Sequence, residues 1–272
     1  MSTIACLLGG GPSWDISKGI YTGKNISVNA QDTSPWGLWF SPSGGIMYVL
    51  GVTTGKIYQY TLSTPWDVST ASYASKSLVI SGQDTMGRAV ALSADGTKAY
   101  MFGITAASKV YQYTLATPWD LSTGSYASKS LDVSGQQLNG GGITLSPDGT
   151  KLYTVGHNGQ TAHQYTLATP WDLSTGSYAS KSLAVGSQDT SAEGITLSSS
   201  GTKVYVAGST NDFIFQYTLA TAWDLSTGSY ASKSLNVASQ DGSPEDVFIA
   251  PFGGFVYVLG RGNKIVYQYV LP

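Results

Sequence analysis

Three carboxylates are the residues of this sequence best suited to chemistry: Glu193, Glu245 and Asp246. Glu193 and Glu245 are 52 residues apart, an interval that recurs throughout the chain. If the carboxylates face one another across an opening, they provide the pair of groups that glycosidases use to protonate a leaving group and to supply a base or nucleophile. Any acidic rim would produce the same pattern, so these residues alone do not identify a hydrolase.

Two further residues share the repeat position of the glutamates and differ from them in chemistry. The recurring interval places five residues at one equivalent position: Trp36, Arg88, Gly141, Glu193 and Glu245. All five lie in a connection that varies between the copies, and they break the repeat. For the four that carry side chains, this variation favours contact with a ligand or partner over a packing role.

Metal and cofactor chemistry has few candidate ligands in this chain. The sequence contains two histidines and one cysteine, Cys6, which excludes an internal disulfide and a cysteine-based metal site. His163 replaces a tyrosine of the repeat, which indicates a packing substitution, and His157 lies in the loop "GHNGQT". A zinc or iron site needs three or four converging ligands. We therefore predict no metal and no cofactor.

Other functional classes lack their sequence signals. No "GxSxG" elbow or Walker loop occurs, and "GGGPS" at residues 9–13 lacks the lysine of a phosphate-binding loop. Only 11% of residues are charged and the net charge is −2, which argues against nucleic-acid binding. The apolar run in "MSTIACLLGG" is too short for a secretory signal, so we expect synthesis in a cytosol and no membrane insertion.

A repeat of about 52 residues must position these side chains. The sequence "ATPWDLSTGSYASKSL" occurs at residues 116–131 and again at 168–183, and a third copy at 220–235 differs only at Ala222. Five Trp-Asp pairs mark the same interval, beginning at Trp14, Trp66, Trp119, Trp171 and Trp223. A period near fifty residues is typical of stacked or circular repeat units.

Each repeat has the pattern of four short antiparallel strands, a to d in chain order. Segments such as "GITLS" and "KVYVAG" are rich in β-branched and aromatic residues and are bounded by turn residues. The link between strands a and b carries a glycine in every copy, as in "SPDGT". Four strands at this period predict an all-β fold, a β-propeller of four-stranded blades.

The two ends of the sequence complete one blade between them. The last repeat stops at Val266–Pro272, short of its Trp-Asp pair, and Trp14–Val28 aligns without a gap on Trp119–Val133. The N-terminal segment is therefore predicted to supply the outer strand of the last blade and to close a ring of five. Residues 12–272 form the propeller, and residues 1–11 are either an arm or an extra strand.

The loops divide the disc into two faces of different character. The a–b and c–d turns are nearly uniform, whereas the b–c loops and d–a connections vary, and in an up-and-down blade each pair emerges on one face. Loops on a rigid scaffold commonly carry recognition residues, so the irregular face is the candidate binding surface. Its candidate residues are Trp36, Arg88, Asn139, Glu193, Glu245, His157, Asn211 and Arg261.

A polar rim and a set of small residues accompany this face. The rim consists of Gln31, Gln83, Gln136, Gln188, Gln240, Asp32, Asp84, Asp189 and Asp241. It either offers hydrogen bonds to sugar hydroxyls or to a protein loop, or caps the turn into strand a, and we favour capping. The inner strands begin with Gly37, Ala89, Gly142 and Gly194, small enough for close packing, with Asp246 as the exception.

The repeat resembles a known type. The segment "SPDGTKLYTVG", together with a strand c such as "IVYQYVL", resembles the YVTN/lactonase-like propeller repeat, and Ile57–Tyr73 is similar to repeats in tailed-bacteriophage virion proteins. The resemblance covers about residues 12–272 and implies a virion propeller on a tail, fibre or capsid vertex. Lactonase catalysis depends on metal or charged pocket residues for which no matching motif is found, so we expect a protein that is not an enzyme.

Three functional hypotheses follow, in order of preference. The first is a structural or adhesin protein of the virion that binds other virion proteins, or a glycan or protein of the host cell surface; a homo-oligomer is compatible with this role. The second is a free-standing lectin whose repeated units give multivalent avidity. The third is a lactonase or other hydrolase that uses the mouth carboxylates.

Overall fold

The computed structural model describes residues 13–105, 108–156 and 159–272. In this part of the chain, twenty strands form five antiparallel sheets of four strands each. The sheets are arranged as blades around an axis, with each strand a innermost. The all-β, five-bladed propeller predicted from the repeats is confirmed.

Strand bounds repeat closely from blade to blade. The first blade contains β2 (Pro35–Phe40), β3 (Ile46–Gly51), β4 (Lys56–Leu62) and β5 (Ala71–Val79). The second contains β6 (Gly87–Leu92), β7 (Lys98–Gly103), β8 (Lys109–Leu115) and β9 (Gly124–Asp132). The third contains β10 (Gly140–Leu145), β11 (Lys151–Gly156), β12 (Thr161–Leu167) and β13 (Gly176–Ala184).

The remaining two blades follow the same order. The fourth contains β14 (Ala192–Leu197), β15 (Lys203–Gly208), β16 (Phe213–Leu219) and β17 (Gly228–Asn236). The fifth contains β18 (Pro244–Ile249), β19 (Phe255–Gly260), β20 (Ile265–Val270) and β1 (Ile20–Ser27). A single turn of 3-10 helix precedes each outer strand, at Ile16–Lys18, Val68–Thr70, Leu121–Thr123, Leu173–Thr175 and Leu225–Thr227.

The ring is closed by pairing between the two ends of the chain. Strand β1 lies antiparallel to β20, with Ile20 opposite Val270 and Ser27 opposite Ile265. The N-terminal segment therefore supplies the outer strand of the fifth blade, as predicted, and β20 has a partner on both sides. The predicted arm or extra strand at residues 1–11 lies outside the described residues.

Apolar clusters between neighbouring blades form the core. In one cluster, Phe40 and Met47 of the first blade pack with Leu259 and Val266 of the fifth. The strand-b tyrosines are buried at these seams, and each hydroxyl donates a hydrogen bond to the backbone carbonyl of a Trp-Asp tryptophan in the next blade. The pairs are Tyr48–Trp119, Tyr100–Trp171, Tyr153–Trp223, Tyr205–Trp14 and Tyr257–Trp66. The repeated Tyr and Trp residues therefore join the blades.

The Trp-Asp pair also organises the c–d turn. The Trp66 ring covers Gly44 of the a–b turn so closely that a Cβ on this glycine would lie 2.2 Å from the indole. Asp67 accepts a hydrogen bond from the Ser69 backbone N–H, which caps the 3-10 turn, and pairs with Lys24 of the preceding blade at 2.6 Å. The Trp-Asp pair thus stabilises the c–d turn and joins two neighbouring blades.

The inner strands approach one another closely at the irregular face. A Cβ on Gly37 would lie 2.9 Å from the Val90 backbone nitrogen, and one on Gly194 would lie 2.4 Å from the Asp246 carboxylate. Such distances leave no room for larger side chains. Close packing of a five-fold ring therefore explains the small residues that the sequence places here.

Ring closure predicts equal effects of one substitution at two seams. Tyr205→Phe removes a hydrogen bond across the closing seam, and Tyr100→Phe removes its counterpart at an internal seam. Each variant leaves a tryptophan carbonyl without its partner, so we expect each to lower the free energy of unfolding by roughly 1–2 kcal/mol in urea titrations. An unchanged Tyr205→Phe protein beside a destabilised Tyr100→Phe protein would show that the ring is open in solution.

Candidate functional site

A buried aspartate connects the two variable segments of a blade. In the first blade, the Asp32 carboxylate accepts hydrogen bonds from the backbone N–H of Ser34, entering strand a, and from that of Thr54, in the b–c loop. Its equivalents Asp84, Asp189 and Asp241 bond to the same two segments of their blades. The aspartate therefore holds the b–c loop and the d–a connection of each of these blades together.

The glutamines of the rim accept hydrogen bonds from tyrosine hydroxyls of their own blades. The Gln31 side-chain oxygen accepts a hydrogen bond from the Tyr60 hydroxyl at 2.8 Å. Gln83, Gln136, Gln188 and Gln240 accept from the equivalent tyrosines. Because the four aspartates are also 2–4% exposed, these oxygens serve the blade itself. The rim groups therefore make their contacts within their own blades, and capping stays the prediction that we favour.

The residues of the variable repeat position meet at the mouth of the axis on the irregular face. The Arg88 guanidinium carbon lies 3.8 Å from the centroid of the Trp36 ring, which is a cation–π contact. The Arg261 guanidinium carbon lies 5.9 Å from the same ring. Trp36 is only 9% exposed, so this pair is embedded in the mouth and does not stand on its surface.

Both glutamates are buried beside these arginines. Arg88 Nη1 lies 3.7 Å from Glu193 Oε2 and 3.9 Å from Glu245 Oε2, so one guanidinium stands between the two carboxyl groups. Arg261 Nε lies 2.7 Å from Glu245 Oε1. The mouth therefore contains two cations and two carboxyl groups in one network, with an indole as one wall.

Burial changes the protonation of the fifth-blade carboxyl groups. It raises the pKa of Glu245 to about 8, assisted by the nearby charge of Glu193 and opposed by Arg261 and Arg88. It also raises the pKa of Asp246 to about 8, although this carboxyl accepts hydrogen bonds from the backbone N–H groups of Leu38 and Val247. Glu245 can therefore lose or accept a proton near neutral pH.

Two donors at the mouth have no hydrogen-bond partner in the described part of the chain. They are the indole Nε1 of Trp36 and the Nε of Arg88, both buried. Buried polar groups in proteins are almost always satisfied, and an exception suggests a water molecule or ligand. Both donors require an acceptor atom, such as the oxygen of a hydroxyl, carbonyl or carboxylate group.

The structure brings together five of the eight residues predicted for the binding face: Trp36, Arg88, Glu193, Glu245 and Arg261. Asn211 is exposed, and its side-chain amide donates to the Gln188 carbonyl within the loop region. No hydrogen bond joins the half-buried Asn139 to these five residues within the described ranges. His157 lies outside the described residues.

At the variable repeat position, the third blade contributes backbone in place of a side chain. Gly141 occupies the variable repeat position, and a Cβ there would lie 2.2 Å from the Glu193 carbonyl oxygen. Only glycine fits this contact, so the mouth has no side chain from Gly141. The site is therefore asymmetric, with the acidic groups on the fourth and fifth blades and the indole and Arg88 on the first and second.

Two serines at the mouth were missed by the sequence analysis. The hydroxyls of Ser209 and Ser191 donate hydrogen bonds to Glu193 Oε1 at 2.8 and 3.0 Å. Ser209 follows the glycine that ends strand b, as Arg261 does in the next blade, and its N–H bonds to the Ser191 carbonyl. The residue after this glycine thus lies against the d–a connection. Its fixed position in the repeat is the signal that could have identified Ser209 as a residue of the mouth.

Metal binding and membrane crossing find no support in the described residues. Within residues 13–105, 108–156 and 159–272, no three His, Cys, Asp or Glu side chains form a metal-binding group. His163 lies within a blade, 3.4 Å from the Tyr178 hydroxyl, and burial lowers its pKa. No helix in this part of the chain has the length and apolar character needed to cross a membrane.

Comparisons with known proteins identify the fold alone. No family model matches the sequence, and no curated protein is similar to it. A functionally unknown protein from Desulfotomaculum acetoxidans has a similar structure, with a TM-score of 0.51 and 12% identity over 83% of this chain and 62% of that one. A candidate 6-phosphogluconolactonase from Bacteroides fragilis gives a TM-score of 0.50 and 15% identity over 75% of this chain. The match spans only 55% of the Bacteroides protein.

These similarities correct one prediction. The lack of recognisable catalytic motifs predicts a chain that is not an enzyme. The same fold is present in a candidate lactonase at 15% identity, so the lack of a motif in this repeat is no argument against catalysis. At this identity the neighbour's activity does not transfer to the chain, but the prediction that the chain is not an enzyme is withdrawn.

The raised pKa of Glu245 predicts a pH dependence of folding. The unfolded chain releases this proton near the ordinary pKa of 4.5, whereas the folded protein keeps it until about pH 8. Between these values the folded state binds more protons, so the free energy of unfolding falls as the pH rises. In urea titrations across this window, the fall should be smaller for Glu245→Gln than for the wild type.

A matched control tests the assignment to Glu245. Asp67 is paired with Lys24, and the pKa of its carboxyl group is lowered, so it titrates below this window. Asp67→Asn should therefore keep the full fall between pH 4.5 and about 8. If Glu245→Gln also kept the full fall, Glu245 would be ionised in the folded protein at neutral pH.

Proposed function

We propose that this propeller binds a carbohydrate at the mouth of its irregular face. The observation that carries the proposal is the pair of buried donors without partners, Trp36 Nε1 and Arg88 Nε, beside the carboxyl groups of Glu193 and Glu245. A sugar hydroxyl accepts one hydrogen bond and donates another, so a single class of group fits both parts of the site. The Trp36 ring itself is buried under the Arg88 guanidinium, so the indole contributes its N–H to the site.

The asymmetry of the mouth supports one site per chain. Five equivalent sites would require the same side chains in each blade, whereas the variable position holds tryptophan, arginine, glycine and two glutamates. These residues contact one another across blades, as the distances from Arg88 to Trp36, Glu193 and Glu245 demonstrate. A single axial site is therefore preferred to the multivalent lectin considered from the repeats.

A virion adhesin remains our proposed setting for this site. It is supported by the resemblance of the repeats to phage virion proteins and by the different character of the two faces. In this arrangement the irregular face binds a host-surface glycan, and the uniform face is available to other virion proteins. Neither structural neighbour described above is a phage protein, so the virion setting rests on the sequence resemblance.

Hydrolysis of a sugar-derived ester is a second candidate function, favoured by the protonation of Glu245. A general acid or base is most effective when its pKa is close to the working pH, and the pKa of this carboxyl group is raised to about 8. Glu193 provides a second carboxyl group on the other side of Arg88. A lactone or glycoside bound at the mouth would thus lie beside two carboxyl groups.

Carbohydrate binding predicts a selective effect of Trp36→Phe. The substitution keeps an aromatic ring under Arg88 and removes the indole N–H, so the affinity for the best ligand of a glycan array should fall about tenfold, the effect of one lost hydrogen bond. Titration calorimetry should give one ligand per chain for the wild type. Tyr126→Phe, which alters a hydroxyl on an outer strand, is the control and should bind normally.

Two results would contradict the carbohydrate site. One is full affinity in Trp36→Phe, which would place the ligand elsewhere. The other is a stoichiometry near five per chain, which would assign binding to the repeated parts of the blades.

The hydrolase candidate predicts an activity that depends on Glu245. Sugar lactones and aryl glycosides should be turned over by the wild type, with a pH–rate profile that changes near pH 8. Glu245→Gln keeps the size of the side chain and removes the proton, so the rate should fall by roughly 10²-fold or more. A wild type without turnover across a broad substrate panel, or an equally active Glu245→Gln variant, would exclude this function.

A further inference from the structure

A second depression lies on the axis of the uniform face, opposite the mouth. It is a cavity of about 280 Å³, and all five blades contribute the ends of their inner strands or a–b turns to its wall. The repeated loops of this face predict no recognition role for it. The cavity is formed by the strand ends at the axis, where the sequence does vary.

Every side chain that lines this cavity is uncharged. Aromatic and aliphatic groups dominate, with Trp39, Trp171, Trp223 and Phe248 among them. Transfer of an ion into such surroundings is costly, since no lining side chain can pair with it. An occupant of this cavity is therefore neutral.

Five hydroxyl-bearing residues line the wall, and two of them belong to the inner strands. Thr144 and Thr196 occupy the same position of strand a in the third and fourth blades, and neither hydroxyl makes a hydrogen bond to another described residue. The neighbouring hydroxyl of Ser146, in contrast, donates to Asp148 within the a–b turn. The threonine hydroxyls are thus available to a ligand.

The opposite side of the wall is aromatic. Trp39 and Phe248 occupy the repeat position of these threonines in the first and fifth blades, and their ring centroids are 6.1 Å apart in an edge-to-face contact. Trp39 also stacks on Trp119 at 6.0 Å, which fixes its orientation. The wall therefore offers rigid ring faces opposite two hydroxyl groups.

We propose that this cavity binds a neutral aromatic molecule of about the size of indole that carries one hydrogen-bonding atom. An apolar cavity of about 150 Å³ accepts benzene, so 280 Å³ is suited to two fused rings. The rings pack against Trp39 and Phe248, and the polar atom bonds to Thr144 or Thr196. This site is independent of the carbohydrate site at the mouth.

Indole is the probe for the experiment. Titration calorimetry or ligand-observed NMR should detect one indole per wild-type chain, and indole-3-acetate, which adds a negative charge, should bind at least tenfold more weakly. The double variant Thr144→Val and Thr196→Val keeps the side-chain shape and removes both hydroxyls, so its affinity should fall about tenfold. The corresponding double serine variant keeps the hydroxyls and should bind indole as the wild type does.

Further variants separate this site from the mouth and from a folding defect. Trp36→Phe alters the mouth alone and should leave indole binding unchanged. Thermal unfolding of the serine and valine variants should match that of the wild type. The proposal is overturned if indole does not bind, if indole-3-acetate binds equally well, or if the double valine variant retains full affinity.

Discussion

The pairing of β1 with β20 is the interaction on which the rest of the molecule depends. It joins residues almost 250 positions apart and gives the last blade the outer strand that its own sequence lacks. The contacts that hold internal blades together recur at this seam: the Tyr205 hydroxyl donates to the Trp14 carbonyl, and Gln216 accepts from the Ile16 N–H. Because β1 pairs with β20, the fifth blade ends in an outer strand of the same kind as the other four blades, and β20 is not left as an unpaired edge.

Closure also creates the site. Five inner strands held around a narrow axis must carry small residues where they touch, which is why a Cβ on Gly37 or Gly142 would contact the backbone of the next blade. Side chains that enter the mouth from different blades are then forced together. Arg88 stacks on Trp36 and lies between Glu193 and Glu245, although no two of these residues are close in sequence. The burial that follows raises the pKa of Glu245 and leaves two donors without partners.

Much of the fold could be predicted from the sequence because the five repeats can be aligned with one another. The blade count, the closing strand and the variable position followed from the spacing of Trp-Asp pairs and from Trp14–Val28. The hydrogen-bond partners of the polar side chains could not be predicted from this spacing. The rim aspartates accept hydrogen bonds from backbone N–H groups of two loops, and Ser209 of a b–c loop donates to Glu193. Such contacts depend on the conformations of the loops, which the repeat pattern does not specify.

The cavity on the uniform face could not be predicted from the loops, because Thr144, Thr196 and Trp39 lie at the ends of the inner strands. The prediction that the chain is not an enzyme was wrong for a related reason: it relied on local motifs, whereas the mouth is assembled from distant residues.

A crystal structure of the protein with its best glycan ligand tests the central claim most directly, because it locates the ligand relative to the axis. We expect one sugar per chain at the mouth, with an oxygen atom within about 3 Å of Trp36 Nε1 or Arg88 Nε and a hydroxyl directed at a glutamate. A sugar bound on the outer strands, or repeated in every blade, would contradict the claim that ring closure gathers five different residues into one site.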